Sequence, residues 1–261
     1  PARMHYGSRI VFDGHAFITT VEHSSHVEQE FAQHPGKVIR VNLDGSIPQT
    51  NPYVGVGGTD DAIWSLGHRN IQGAAMQGGQ CQIIEHGPAG GDKVNLSLPA
   101  QNYGWPIVAY GHRYDGPLIG AGVPRLGPYR EPLYCWDPVI PPGDGVFYKG
   151  QPFADWQGGV LIGGLVAPGI VRLEMEGPLV TQEERLLTRL SRVRDIELLD
   201  DGTLVLATDL EQGGLLHATP SESETQPASR RVTPRLKSIG SIGAAFISEP
   251  CAPVCVIGMC A

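Results

Sequence analysis

Four times along the chain a short apolar run is followed by a glycine-bearing turn and a second short apolar run. Ser8 to Thr19 turns at Asp13-Gly14, Met76 to Ile84 at Gly78-Gly79, Phe153 to Leu165 at Gly158-Gly159, and Arg194 to Ala207 around Asp201-Gly202. A tight hairpin turn needs positive φ, which Gly supplies without steric cost and Asp tolerates, so each unit reads as an antiparallel β-hairpin. The 261 residues include 35 Gly and 22 Pro. Neither type sits inside long helices, where each costs about 1 and about 3 kcal/mol relative to Ala. The chain is therefore expected to be all-β, and helical bundles and coiled coils are excluded. Repeated hairpins joined by long Gly/Pro loops suit a β-propeller or a β-sandwich, and periodicity alone does not choose between them.

Hydrophobic residues at 41% and charged residues at 18% fit a packed globular chain and exclude a disordered one. The formal net charge of -8, from 19 Lys and Arg against 27 Asp and Glu, argues against a nucleic-acid partner, which requires clustered cations. No run approaches the ~18 consecutive apolar residues of a membrane span. The chain opens Pro1-Ala2-Arg3-Met4, with neither an initiator methionine nor a signal-peptide pattern, which suggests a processed or incomplete N-terminus. Three of the five cysteines, Cys251, Cys255 and Cys260, crowd into the last residues with no zinc-ribbon spacing and no disulfide framework. One helix-like stretch is expected over Thr181 to Arg192, where Thr181 and Glu184 have capping-box spacing. The β-domain is placed at residues 1–218. Residues 219–261, which open on a Ser/Thr/Glu/Pro-rich stretch, read as a linker and tail with little fixed structure.

Two segments stand out from generic loops: Ile63 to Gly73, with His68, Arg69, Asn70 and Gln72, and Ile84 to Asn95, followed by Asn102-Tyr103-Gly104-Trp105-Pro106. Gly87-Pro88 and Gly90-Gly91-Asp92 keep side chains away from a bound ion, and hard cations such as calcium take six to eight oxygens, many of them carbonyls. Read from the residues alone, a plain connecting loop is favoured over an ion site. Gly55-Val56-Gly57-Gly58 has no following helix and is not a dinucleotide fingerprint. His23-Ser24-Ser25-His26 with its flanking glutamates could bind a metal but reads as a solvated loop, and Asn95-Leu96-Ser97 is a formal glycosylation sequon without other support.

Leu66-Gly67-His68-Arg69-Asn70-Ile71-Gln72-Gly73, Glu85-His86-Gly87-Pro88 with Gly91-Asp92, and Asn102 to Pro106 together resemble the soluble PQQ-dependent sugar dehydrogenases. The likeness is to the aldose sugar dehydrogenase branch of the glucose/sorbosone dehydrogenase family. It continues in order through Tyr134 to Val139, Phe147 to Gly150, Trp156-Gln157-Gly158, Glu183 to Leu187, Arg192 to Asp195 and Asp201 to Leu204, covering roughly residues 5–218. The resemblance implies a six-bladed β-propeller that holds pyrroloquinoline quinone (PQQ) and calcium. It implies oxidation of an aldose at its anomeric carbon to a lactone, with electrons passed to an external acceptor in the periplasm. At about 50 residues per blade the matching stretch supplies about four blades, so an N-terminally incomplete chain is expected.

Carried over by motif, His5 in His5-Tyr6-Gly7-Ser8-Arg9-Ile10 would be the general base, a task suited to histidine. Arg69 would face the reactive quinone carbonyls, with Asn70 and Gln72 as polar cofactor contacts. Trp136 would pack on the planar quinone. Arg192 and Arg194, two apart on a strand and so on one side, would grip the cofactor carboxylates. The carbonyls of Gly87 and Pro88 would hold calcium. A second calcium in similar proteins uses a Gly-Asp-Glu pattern with the carbonyl matching Tyr103; here Lys93 stands in the acidic position, a cation in a cation site, which argues against that second ion. Gly143-Asp144-Gly145-Val146 also departs from the usual Ser-Gly-Met. These two departures favour an alternative, a propeller that binds carbohydrate or a protein partner without redox chemistry, and the short blade count adds a further one, an inactive fragment.

Overall fold

The computed structural model describes residues 4–22, 27–166, 169–209, 213–221 and 234–241. They form four antiparallel four-stranded sheets, each in simple sequential order. Sheet 1 comprises β1 (Ile10–Phe12), β2 (Ala16–Thr19), β3 (Lys37–Val41) and β4 (Ile63–Leu66). Sheet 2 comprises β5 (Ile71–Gln77), β6 (Gln80–Glu85), β7 (Asp92–Ser97) and β8 (Tyr134–Trp136). Sheet 3 comprises β9 (Pro142–Phe147), β10 (Val160–Gly164), β11 (Gly169–Glu176) and β12 (Leu179–Leu186). Sheet 4 comprises β13 (Val193–Leu198), β14 (Leu204–Thr208), β15 (Gly214–Pro220) and β16 (Pro234–Ser241). A single 3-10 turn at Ala154–Trp156 is the one helical element among the described residues.

The first strands of successive sheets, β1, β5, β9 and β13, pack side by side, and the sheets fan out from them as propeller blades. Glycine permits this approach. A Cβ on Gly143 of β9 would lie 2.6 Å from the Arg194 carbonyl on β13, so only hydrogen fits between the two backbones. Apolar side chains fill each gap between blades. Phe17, Val38, Ile71 and Ile83 lie between sheets 1 and 2, Ile84, Val94, Ile140, Phe147 and Ile162 between sheets 2 and 3, and Tyr148, Leu161, Ile170, Val193 and Leu206 between sheets 3 and 4. β10 is buried along its whole length because sheet 3 is covered on both faces.

The hairpins expected at Asp13-Gly14, Gly78-Gly79 and Asp201-Gly202 are present, joining β1 to β2, β5 to β6 and β13 to β14. The one expected around Gly158-Gly159 is not: β10 pairs with β9 and β11, and the apolar run from Phe153 packs into the core, with Phe153 stacked on Trp156 at 4.2 Å. The expected helix over Thr181 to Arg192 is instead largely β12, with Arg172 opposite Glu184 and Leu173 opposite Glu183. Cross-strand pairing overrides a local capping signal, and the charged residues suit an outermost strand whose far edge meets water. The boundary drawn at 218 falls inside β15, and β16 pairs along it, Leu216 with Ser238 and Ala218 with Leu236. Sheet 4 therefore draws part of the expected tail into its ladder and satisfies the edge of β15. The His23 to His26 segment and Cys251, Cys255 and Cys260 lie outside the described residues.

Candidate active site

In a sequential antiparallel sheet the first and third strands run the same way, so the segments leading into them lie at one end of every blade. In these blades that end collects His5 and Arg9 ahead of β1, Glu22 between β2 and β3, Arg69 and Asn70 ahead of β5, His86 to Gly91 between β6 and β7, Arg192 ahead of β13, and Asp209 after β14. Nearly all the expected site residues thus arrive on one face of the fan.

Arg69 is the centre of this face. Its side chain is buried, and Nη1 donates to the carbonyls of His86 at 3.0 Å and Gly87 at 2.8 Å. Its guanidinium lies 5.2 Å from the ring centre of Trp105, and its Nε is buried without a hydrogen-bond partner. Its backbone is held from two sides: the amide donates to Glu85 Oε2 at 2.9 Å and the carbonyl accepts from the Glu22 amide at 2.8 Å. Asn70 Oδ1 accepts from Gln72 Nε2 at 2.8 Å, so the two expected cofactor amides orient each other.

Glu85 anchors a buried polar network beneath Arg69. Its Oε1 accepts from Asn95 Nδ2 at 2.7 Å and lies 3.7 Å from Lys93 Nζ and 3.8 Å from His68 Nδ1. Burial alone would raise this carboxyl, but the Lys93 ammonium, His68 and the Arg69 amide outweigh it and hold it at about 2. His68 stacks on Tyr103 with ring centres 4.6 Å apart and hydrogen-bonds to Ser65 Oγ at 2.9 Å. Lys93 thus places its charge against Glu85. Asn95, the sequon residue, is fully buried in this network.

His5 Nδ1 lies 2.6 Å from Glu22 Oε1, an ion pair when the ring is protonated. His5 has φ 66, a left-handed conformation uncommon for a residue with a side chain. Glu22 is itself buried, and the hydrogen bond from its amide to the Arg69 carbonyl ties the carboxylate partner of His5 to the arginine. His86 stands beside them, with Nε2 2.6 Å from the Pro142 carbonyl. Burial, with help from Arg69, Arg194 and His5, pulls its imidazole down to about 4, so it is neutral at physiological pH.

The Gly87 amide donates to Asp92 Oδ1 at 2.9 Å, while Asp92 Oδ2 accepts from the Ile140 amide at 2.8 Å. Burial raises the Asp92 carboxyl to about 6 against the pull of those amides. A Cβ on Gly87 would lie 2.1 Å from the Gly90 carbonyl oxygen, so the loop closes to this depth only around glycine. Arg192 and Arg194 do point to one side: both reach Asp209 Oδ2, Arg192 Nη2 at 3.4 Å and Arg194 Nε at 3.1 Å. Burial opposes ionisation of Asp209, but the two guanidiniums hold its carboxyl below the usual range.

Trp136 lies in the core between sheets 2 and 3, with its indole N–H donating to Glu183 Oε2 at 2.8 Å; the ring set against Arg69 is that of Trp105. Tyr103 is buried, and its amide donates to the Leu66 carbonyl. Asp209 was not singled out from sequence, and Glu22, Glu85 and Trp105 stood there only within or beside motif runs, with no role in this site. Their placement ahead of a first or third strand, or beside such a residue, is the signal that gathers Glu22 and Asp209.

The donor chemistry fits a quinone cofactor and a hard cation. Arg69 and Arg192 each leave a buried Nε without a partner, and with Arg194 they make a cationic face suited to carboxylates and quinone oxygens. The Gly87 carbonyl accepts from the Arg69 guanidinium, so a calcium ion on that oxygen would have to share or displace this contact. Among the described residues no three His, Cys, Asp or Glu side chains cluster as metal ligands, so a cation here would rely on carbonyl oxygens. No helix among the described residues is long and apolar enough to cross a membrane.

The family model described as Glucose / Sorbosone dehydrogenase matches residues 1–217. The chain is 34% identical over 223 residues to the aldose sugar dehydrogenase YliI of Escherichia coli, covering 83% of this chain and 60% of that protein. It is 28% identical over 233 residues to quinoprotein glucose dehydrogenase B of Acinetobacter calcoaceticus, covering 68% of this chain and 48% of that protein. A crystal structure of a glucose dehydrogenase superposes with TM-score 0.79 at 38% identity, over 82% of this chain and 64% of that one. The chain therefore spans about half to two thirds of the length of these relatives.

Proposed function

Because the chain belongs to the Glucose / Sorbosone dehydrogenase family, we propose that it, or the longer protein of which it is part, oxidises an aldose at the anomeric carbon to the lactone. The observation that carries this reading is the convergence of His5, Glu22, Arg69, His86, Arg192 and Arg194 on one face of the fan, with unsatisfied arginine N–H groups among them. PQQ held there, with calcium as a Lewis acid, would supply the two-electron acceptor for the hydride that leaves the anomeric carbon.

The chain's own residues do the rest. His5 accepts the anomeric hydroxyl proton, and Glu22 orients its ring and stabilises the imidazolium that results. Arg69, fixed through its backbone by Glu22 and Glu85, sets a positive charge where negative charge develops during the oxidation. Arg192 and Arg194, which meet at Asp209, would grip the cofactor carboxylates, and the Gly87 and Pro88 carbonyls would hold the calcium ion. Electrons leave to an external acceptor, and the periplasm is the expected compartment.

The test is reconstitution with PQQ and calcium, followed by absorbance and then by dye reduction with glucose. Cofactor-dependent turnover is expected, lost in His5→Ala while quinone binding persists. A perturbed quinone spectrum without turnover would replace oxidation with a binding role, and no perturbation at all would overturn the cofactor assignment.

A further inference from the structure

The segment that carries His5 belongs to no strand, and its position depends on Arg9. Arg9 Nε donates to Asp144 Oδ2 at 2.6 Å, and Nη2 lies 3.5 Å from Asp195 Oδ1. The other oxygen of Asp144 accepts from the amides of Ala74 at 3.2 Å and Gly145 at 2.8 Å. Asp144 sits on β9, Ala74 on β5 and Asp195 on β13. One carboxylate and one guanidinium therefore join the lead-in of sheet 1 to the inner strands of the other three sheets.

The backbone around Arg9 transmits that anchorage. Its amide donates to Thr19 Oγ1 at 2.8 Å, its carbonyl accepts from the Thr19 amide at 2.9 Å, and Ser8 Oγ donates to the Thr19 carbonyl at 2.7 Å. A Cβ on Gly7 would lie 2.3 Å from the Ile71 carbonyl oxygen, so the segment rests directly on β5. His5, two residues further back, keeps its left-handed backbone only while its surroundings hold it. Asp144 has no part in binding or proton transfer as described above, yet it is mostly buried and hydrogen-bonded on both oxygens.

We propose that Asp144 is a positioning residue that, through Arg9, fixes residues 4–9 so that the His5 ring stays against Glu22. The proposal rests on the reading of His5 as the base, and its test is read first without any cofactor. In the 261-residue chain, histidine ring signals are recorded by NMR for the wild type, Asp144→Asn, Arg9→Lys and Asp195→Asn. His5 signals should shift and broaden in the first two variants while those of His68, enclosed by Ser65 and Tyr103, stay in place. Arg9→Lys keeps the charge but loses the fork, so it carries the test if Asp144→Asn fails to fold.

His5 signals unchanged in both variants would overturn the proposal, as would Asp195→Asn disturbing them equally. In the loaded enzyme, Asp144→Asn should lower kcat about 10²-fold with cofactor Kd within about twofold, since displacement of a base by about 1 Å costs rate and not affinity. A parallel loss of cofactor affinity would contradict it. Failure to bind PQQ would count against sugar oxidation and leave the ring-signal result standing.

Discussion

Replacing Glu85 with Gln tests the network beneath Arg69. A carboxyl that titrates at 4.5 in the unfolded chain and at about 2 when folded stabilises the fold by about 3 kcal/mol at neutral pH. An independent figure comes from the Lys93 ammonium 3.7 Å away, which at an effective dielectric of ~20 attracts the carboxylate by about 4 kcal/mol before desolvation. Gln removes the charge and turns an NH2 group toward donors, the Arg69 amide or Asn95 Nδ2, while Lys93 is left buried without its counter-charge. The expected loss is about 3 kcal/mol in urea unfolding, with Tm lowered by roughly 6 to 12 °C for a chain of this size. The sign with pH follows from the depressed folded value: the contribution is complete above 4.5 and drains away as pH falls toward 2, so wild type and variant should converge in acid. Adding Lys93→Met should recover stability relative to Glu85→Gln alone, because the unpaired buried charge is gone. A loss below about 1 kcal/mol, a gap that persists at pH 2, or no coupling between the two changes would refute the network as described.

His86→Gln keeps a donor for the Pro142 carbonyl and should remove an acid-sensitive step. The wild-type imidazole titrates at about 4 instead of 6.5, so wild-type stability falls by about 3 kcal/mol as pH drops through that window, and the variant's pH profile should be flatter there. Gly87→Ala should abolish cofactor binding with little change in the far-UV circular dichroism, since the added methyl meets the Gly90 carbonyl at 2.1 Å and must displace the loop; retained binding would show that the loop gives way freely. Trp136→Phe should cost about 2 kcal/mol through lost volume and the lost bond to Glu183, with quinone affinity unchanged. Weakened affinity at unchanged stability would return that ring to the cofactor.

Turns were legible in the sequence because their chemistry is local. Asp13-Gly14, Gly78-Gly79 and Asp201-Gly202 each mark a hairpin that the structure contains. Where local and long-range signals compete, the sequence misleads: Thr181 and Glu184 have capping spacing, but Glu184 faces Arg172 across a ladder with Nη1 to Oε2 at 3.2 Å. β16 was hidden for a related reason, since Pro234–Ser241 has no strong alternation of its own and is placed by the free edge of β15.

The site divides in the same way. Arg192 and Arg194 share a side as their spacing suggests, although β13 begins only at Val193 and its register shifts across Arg194; Asp209, their shared partner, lies beyond a whole hairpin. Glu22 stands in an irregular stretch beside a histidine run that reads as a solvated loop, and only the fold sets its carboxylate beside His5. Topology supplies the missing rule. Once hairpins fix which strands are first and third in each blade, the segments leading into them share one end, and the chemistry-bearing residues on those segments can be gathered before any coordinates exist. Applied here, that rule collects His5, Glu22, Arg69, His86, Arg192 and Asp209 together; Trp136 ends β8 at the same end, opposite Asp92, but its ring turns into the core between sheets 2 and 3.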